Sequence, residues 1–314
     1  MEYNYREMTV LLRLIWRMLT IVVLLLALIF FVALLMELGA KGGLAALPSA
    51  VSSAYEFTVE YVKGLAHLDM GEVTSPFRSV SGTPVLKEIG RALPNSLALL
   101  GISLVVSVVV GLYLGMASAL RRSSLFAGLV LFASSLGIST PSYFAAMLLI
   151  WFGVWLFAVT GRHFFPVAGF GWDAHVILPA LVLSARPTAA VTRLSHNALV
   201  EILEADYVRT AHSKGLHPQV VLLEHVLRNA GVPILTIVLV SLRFSLAVLP
   251  IVEYIFSWPG IGLSLLTAIQ TGDTTTAIGM ILTLALLFVL ANLILEFLYP
   301  RIDPRLRTAK VGVT

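Results

Sequence analysis

The residues whose types and spacing could do chemistry are few, and they fall into four groups. Glu204, Asp206, Tyr207, Arg209, Thr210, Ala211, Lys214 and Gly215 share one polar segment, whose mixed charges suit gripping another protein rather than making bonds. Arg186 and Arg243 each stand alone in a long apolar run. A cation at the centre of a membrane helix costs about 2.5–3.5 kcal/mol on insertion scales, so each must face a wet cavity or a counter-group. Two readings stay open for them: lining a pathway and contacting carboxylates or carbonyls of a solute, or pairing structurally with serine, a backbone carbonyl or a companion chain. Glu253 opens the run Glu253-Tyr254-Ile255-Phe256-Ser257-Trp258-Pro259-Gly260. It either forms part of a gate or holds the following turn, since Pro259, Gly260 and Gly262 are turn residues. Ser139, in Gly137-Ile138-Ser139, has His196 as its obvious basic partner, the two parts an intramembrane serine hydrolase would need.

Other chemistries lack their parts. His163, His175, His196, His212, His217 and His225 show no ligand spacing of the His-Glu-x-x-His kind. There is no cysteine, hence no thiolate metal site, no thiol nucleophile and no disulfide framework. No glycine-rich phosphate loop ends in Gly-Lys-Ser or Gly-Lys-Thr, so the chain is not expected to hydrolyse nucleotide itself.

The elements that must position these groups follow from composition. Of 314 residues, 58% are apolar and 12% charged, against roughly half and a quarter in soluble domains. So few charges cannot clothe a soluble surface, and a lipid environment is the class that fits. A helix needs about 20 apolar residues to cross the hydrocarbon layer. Uncharged runs of that order occur at Met18–Met36, Ala92–Leu120 and Ser123–Gly161, and further apolar spans run over Val176–Leu199, Gly231–Ser257 and Ala277–Leu298. The third run would reach almost ~60 Å as one helix, and Pro141 within it predicts a single kinked crossing. Six spans place both termini on one side. That side then holds Arg6, Arg13, Arg17, Arg121, Arg122, Arg193, Arg209, Lys214, Arg228, Arg301, Arg305, Arg307 and Lys310. The other holds Lys41, Lys63, Arg78, Lys87, Arg91 and Arg162. The imbalance makes the first side cytoplasmic. The net charge of +4 therefore reads as topology, and nucleic acid is not expected as a partner.

Residues 1–36 are thus a cytoplasmic N-terminus and first span, 37–91 an extracytoplasmic segment with a surface helix over Pro48–Leu68, 92–300 a five-helix core, and 301–314 a cytoplasmic tail. Within the core, residues 200–229 form a cytoplasmic loop. Glu201 to Lys214 predicts one helix stopped at Gly215, and Pro218 suits the first turn of a second. Trp151, Trp155, Trp172 and Trp258 are read as interfacial anchors, and Asn292 and Glu296 as polar groups serving helix packing.

The motifs are specific. Asp206-Tyr207-Val208-Arg209-Thr210-Ala211-His212-Ser213-Lys214-Gly215-Leu216, followed by His225-Val226-Leu227-Arg228-Asn229-Ala230, closely resembles the cytoplasmic loop of peptide/nickel-class permease subunits of binding-protein-dependent ABC importers. Glu253 to Gly262 is similar to that family's external segment, and Leu178-Pro179-Ala180-Leu181 to the opening of its fourth span. Asp303-Pro304-Arg305 is similar to its close, Gly137 to Ser142 to its kink, and Leu68-Asp69-Met70-Gly71 with Pro84-Val85-Leu86 to its extracytoplasmic motif. Departures are Glu37-Leu38-Gly39-Ala40-Lys41 in place of a Pro-Gly-Asp-Pro-like turn, and Ser241-Leu242-Arg243-Phe244-Ser245 in place of a glycine-rich stretch.

The resemblance implies an all-α polytopic protein of the type I importer fold with six transmembrane helices, embedded in lipid of the cell membrane. It implies a second homologous permease subunit, two cytosolic ABC ATPase subunits that use ATP and magnesium, and an extracytoplasmic solute-binding protein. No cofactor is expected in this chain. Glu204 to Leu216 would be the helix that couples the ATPases to the spans, and peptides, or alternatively nickel chelates or another small solute, would be the cargo.

Overall fold

The computed structural model describes residues 2–74, 82–121, 123–162, 164–214, 217, 220–221 and 228–302. The helices are α1 (Glu2–Ala40), α2 (Leu47–Ala66), α3 (Val85–Leu120), α4 (Leu125–Ser139), α5 (Ser142–Thr160), α6 (Ile177–Glu204), α7 (Asp206–Ser213), α8 (Arg228–Ile255), α9 (Ile261–Thr271) and α10 (Thr274–Ile302). No strand forms among the described residues; Glu72 and Pro84 make an isolated antiparallel bridge. Six segments are long and apolar enough to cross a membrane: Met18–Ala40, Val85–Leu120, Ser142–Thr160, Ala174–Glu204, Thr236–Ile255 and Thr274–Phe297.

The chain divides into two compact units. The first comprises residues 1–92 and 264–285. In it α1 packs on α2 through small residues that let the backbones close, with Ile29, Ala33, Ala54, Tyr61 and Ile278 in one buried cluster. The surface helix expected from Pro48 is α2. It ends on a left-handed residue, Leu68 (φ 60°), with the Asp69 N–H donating back to Gly64 O at 2.9 Å. Asp273 caps α10. Its carboxylate accepts the Thr276 N–H (3.0 Å), the Thr276 hydroxyl (2.8 Å), the Thr74 N–H (3.0 Å) and the Thr74 hydroxyl (2.8 Å).

The second unit, residues 93–263 and 286–314, is organised around α6, which packs on α4, α5 and α8. Its core holds Leu99, Leu178, Leu183, Leu249, Val252, Phe256 and Trp258. Two sequence expectations change in this unit. The run from Ser123 to Gly161 is not one kinked helix. Thr140 (ψ 123°) and Pro141 (ψ 137°) are both extended, because proline bars its predecessor from the helical region, and α4 and α5 are separate helices. The run is nevertheless a single crossing. α4 starts close after the end of α3 that packs with Leu199, Gly137 reaches Ala185 and Ala189, and Gly153 on α5 reaches Leu178. The chain therefore climbs α6 in one direction throughout.

The second change is at Glu201–Lys214, expected as one helix. Here α6 runs on to Glu204, Ala205 is extended (ψ 142°), and α7 starts afresh at Asp206. The second span also begins earlier than Ala92, at Val85. Asn292 turns back to Phe288 O on its own helix at 2.8 Å, bonding within α10. The helix expected from Pro218 starts outside the described residues.

Asp273 yields a stability prediction. Burial acts to raise its pKa, but the Thr276 and Thr74 donors outweigh burial and hold the carboxyl below the usual aspartate range. A group depressed in the folded state contributes stability above its unfolded pKa and loses it as the pH falls through the folded value. Asp273→Ala is expected to cost about 1–3 kcal/mol at neutral pH. In detergent melts the gap from wild type should close on acidification below the ordinary aspartate range.

Candidate functional site

The polar segment is positioned by the break at Ala205. The Val208 N–H donates to Ala205 O at 3.0 Å, so the new helix starts at once with Asp206 in its first turn, where a negative charge suits the helix dipole. Val208 and Ala211, three residues apart, turn inward and bury against Ala119, Leu199 and Val221. Asp206, Tyr207, Thr210, Ser213 and Lys214 are consequently exposed, as is Glu204 at the end of α6. Tyr207 is 45% exposed, a large ring on an outward face. The Arg209 side chain and Gly215, both singled out from the sequence, lie outside the described part.

A column of close packing leads from α7 through the unit. On α3 a Cβ at Gly111 would stand 2.8 Å from Val191, and one at Gly115 would stand 2.7 Å from Ser195 and 2.8 Å from Thr192 O. Small residues one turn apart let helices touch where no hydrophobic drive exists between them. The buried Ser118 Oγ lies 2.9 Å from His196 Nδ1, which fastens the same two helices. His196 is thereby engaged by Ser118 and not by Ser139. Gly137, two residues before Ser139, meets Ala189, and His196 is about 10 Å further along α6. No nucleophile and base come together there, and the Ser118–His196 pair is buried in helix packing.

Arg186, on α6, is exposed, with its guanidinium carbon 4.7 Å from the centroid of the Phe244 ring on α8. Arg243, the chain neighbour of Phe244, is half-buried, and its Nε has no hydrogen-bond partner. Neither arginine has a carboxylate partner among the described residues. Ser241 and Ser245 are also buried without hydroxyl partners, but they are on the other face of α8 from Arg243. Ser139, exposed, ends α4 close to the level of Arg186.

Glu253 is fully buried and structural in its setting. Its Oε2 accepts the Gly262 N–H at 2.7 Å, with the Leu263 N–H and the Ser96 hydroxyl also directed at the carboxylate. The Ser96 hydroxyl oxygen accepts the Ile261 N–H (2.8 Å), and Asn95 Nδ2 donates to Pro259 O (2.9 Å). Trp258 corrects an expectation: unlike the exposed Trp151, Trp155 and Trp172 it is 0% exposed and is no interfacial anchor. Its Nε1–H donates to Asn95 O at 3.2 Å, and its ring meets Phe170 and Trp172 edge to face, at 4.8 and 5.4 Å between centroids. Asn95 and Ser96 were not singled out from the sequence. A polar pair straight after Pro94 in an uncharged run was the available signal.

The Glu253 turn tolerates no side chain where it closes. A Cβ on Gly262 would collide with Pro250 Cα, and one on Gly260 with the Glu253 carboxylate, whereas one on Gly90 meets nothing within 4 Å. Gly262→Ala is therefore expected to abolish the well-folded, monodisperse protein in detergent, and Gly90→Ala to leave its elution and melting unchanged.

The family described as "binding-protein-dependent transport system inner membrane component" matches residues 107–308. A dipeptide transport system permease protein of Escherichia coli (strain K12) is 32% identical over 278 residues, covering 80% of this chain and 80% of the relative. An oligopeptide transport system permease protein of Bacillus subtilis (strain 168) is 33% identical over 261 residues, covering 79% and 80%. A probable peptide ABC transporter permease of Sinorhizobium fredii is 33% identical over 235 residues, covering 72% and 74%. Among solved structures, the inward-facing methionine ABC transporter MetNI shares the fold with a TM-score of 0.55 at 17% identity, over 71% of this chain and 99% of that one. Six apolar spans, the type I importer fold and a match over most of the core converge: the chain is a multi-pass membrane protein belonging to the family of inner membrane components of binding-protein-dependent transport systems.

Proposed function

We propose that the chain is one of two homologous permease subunits of an ATP-driven importer for di- or oligopeptides, the cargo named for its relatives. Two cytosolic ATPases use ATP and magnesium beneath it, and a solute-binding protein delivers cargo from outside; the chain itself carries no cofactor. Both termini are cytoplasmic, as the basic residues favour. Arg186, Arg243 and Ser139 border the translocation path, and Glu253 holds the turn at its far end.

The observation that carries this reading is the construction of α7. It is clamped to the spans by Val208 and Ala211 and turns Asp206, Tyr207 and Thr210 outward. Together with Glu204, Arg209, Ala211, Lys214 and Gly215 these residues form the coupling element. An ATPase groove that grips this face can push α6 and α3 as one body, converting nucleotide-driven closure into rocking of the spans.

Asp206→Lys and Tyr207→Ala in the reconstituted transporter test the coupling. An exposed aromatic and a charge at the centre of a docking face each lose on the order of tenfold in binding. Both variants should insert normally, yet lose peptide uptake and the stimulation of ATP hydrolysis by loaded binding protein. Normal uptake in both would refute the assignment.

A further inference from the structure

We infer that Arg186 and Arg243 form a carboxylate-reading site in the membrane, which takes the free C-terminal carboxylate of the peptide as it passes. The inference rests on the importer reading above and names what this pair recognises.

Two cations stand uncompensated deep within the spans. Arg186 lies in Ala174–Glu204 and Arg243 in Thr236–Ile255. Arg186 is about 13 Å along α6 from Ile177, and Arg243 is about 10 Å from Thr236 and about 18 Å from Ile255, so both sit deep in a hydrocarbon layer roughly 30 Å thick. No carboxylate pairs with either among the described residues. Glu253, the acidic residue on the same span, is about 15 Å away along α8 and already receives the Gly262 N–H. Such a charge persists in a membrane helix only against water or a counter-ion, and lipid headgroup phosphates lie outside the layer at whose interior these arginines sit.

The geometry suits a mobile anion. Phe244, 44% exposed, offers its ring face to the Arg186 guanidinium at 4.7 Å. A cation over a ring face is held without using its N–H groups, and these can then grip a carboxylate with two parallel hydrogen bonds. Phe244, Ala247, Ile251 and Tyr254 form one exposed stripe along α8, and Arg243, half-buried, flanks it with a buried Nε that has no partner. A free carboxylate moving along this stripe would meet the Arg186 guanidinium first and, entering beside α8, would supply the partner that the enclosed Arg243 Nε lacks. A fixed carboxylate partner would have to lie outside the described residues, as a carboxylate of the companion permease would.

The test uses the complete transporter in phosphatidylcholine vesicles, with dialanine and dialanine amide as probes. Arg186→Gln and Arg243→Gln should each lower dialanine uptake at least tenfold and spare the amide. The acid-to-amide preference should then collapse while ATP hydrolysis still responds to loaded binding protein. Arg→Lys at either position, which keeps the charge, should restore much of the preference. Equal loss of both probes would overturn the inference in favour of a pairing with the companion subunit, and so would Gln variants that behave as wild type. A wild-type transporter that moves no peptide acid but drives another solute with ATP would also overturn it, while leaving the importer reading in place.

Discussion

The close approach of α3 to α6 is the constraint on which the rest of the second unit depends. Lipid tails are as apolar as leucine, so two membrane helices gain little by hiding apolar surface and must gain by contact. Gly111 and Gly115 supply that contact by admitting Val191, Ser195 and Thr192 O to the α3 backbone. Hydroxyl bonds reinforce it: Ser107 to Ser184 O at 3.4 Å, and Ser118 against His196. Packed at this density, α3 and α6 cannot deform gradually and must move together. One end of α3 carries Asn95 and Ser96, tied to Trp258, Pro259 and Ile261. The other carries Ala119, packed with Val208 and Ala211 of α7. The α7 packing and the Trp258 turn thus sit on one helix, about 36 Å apart along it.

Where the structure yields is as informative as where it is rigid. Thr140-Pro141 and Ala205 are extended points at which a helix stops and another starts. The first divides the α4–α5 crossing close to where Gly137 meets Ala185 and Ala189 of α6, itself a helix with Pro187 in its interior. The second turns α7 away from the α6 axis and gives it an outward face of its own. Both are local changes of backbone angle of the kind that rigid-body rocking requires.

Much of this was legible in the sequence, and what was not has physical reasons. The six spans follow from apolar length alone, and the docking segment from its charges. Pro141 announced a disturbance, but a kink and a full break share the same signal, and the extended Thr140 decides between them. Nothing in Ala205 predicts a stop, because alanine is the best helix former; packing of Val208 and Ala211 overrides propensity there. Trp258 was misread because a tryptophan at a span end looks the same whether its ring faces headgroups or Phe170 and Trp172. The hydrogen bonds of Asp273 to Thr74 join residues far apart in the chain, a closure no local pattern can report.

Three charges deep within the second unit's spans, Glu253, Arg186 and Arg243, then separate by what surrounds them. Glu253 is wholly enclosed, and its carboxylate is met by the Gly262 amide, with the Ser96 hydroxyl and the Leu263 amide beside it. Such a group, enclosed with the turn whose Gly262 amide it accepts, is a fastening, although its Oε1 has no partner. Arg186 is the reverse, exposed beside Phe244, and half-buried Arg243 has a buried Nε without a partner; neither has a carboxylate partner among the described residues. Evolution readily removes a charge that is only a cost in the membrane, as leucine would serve the packing better. Each arginine therefore needs water or a counter-ion that the described residues of this chain do not supply.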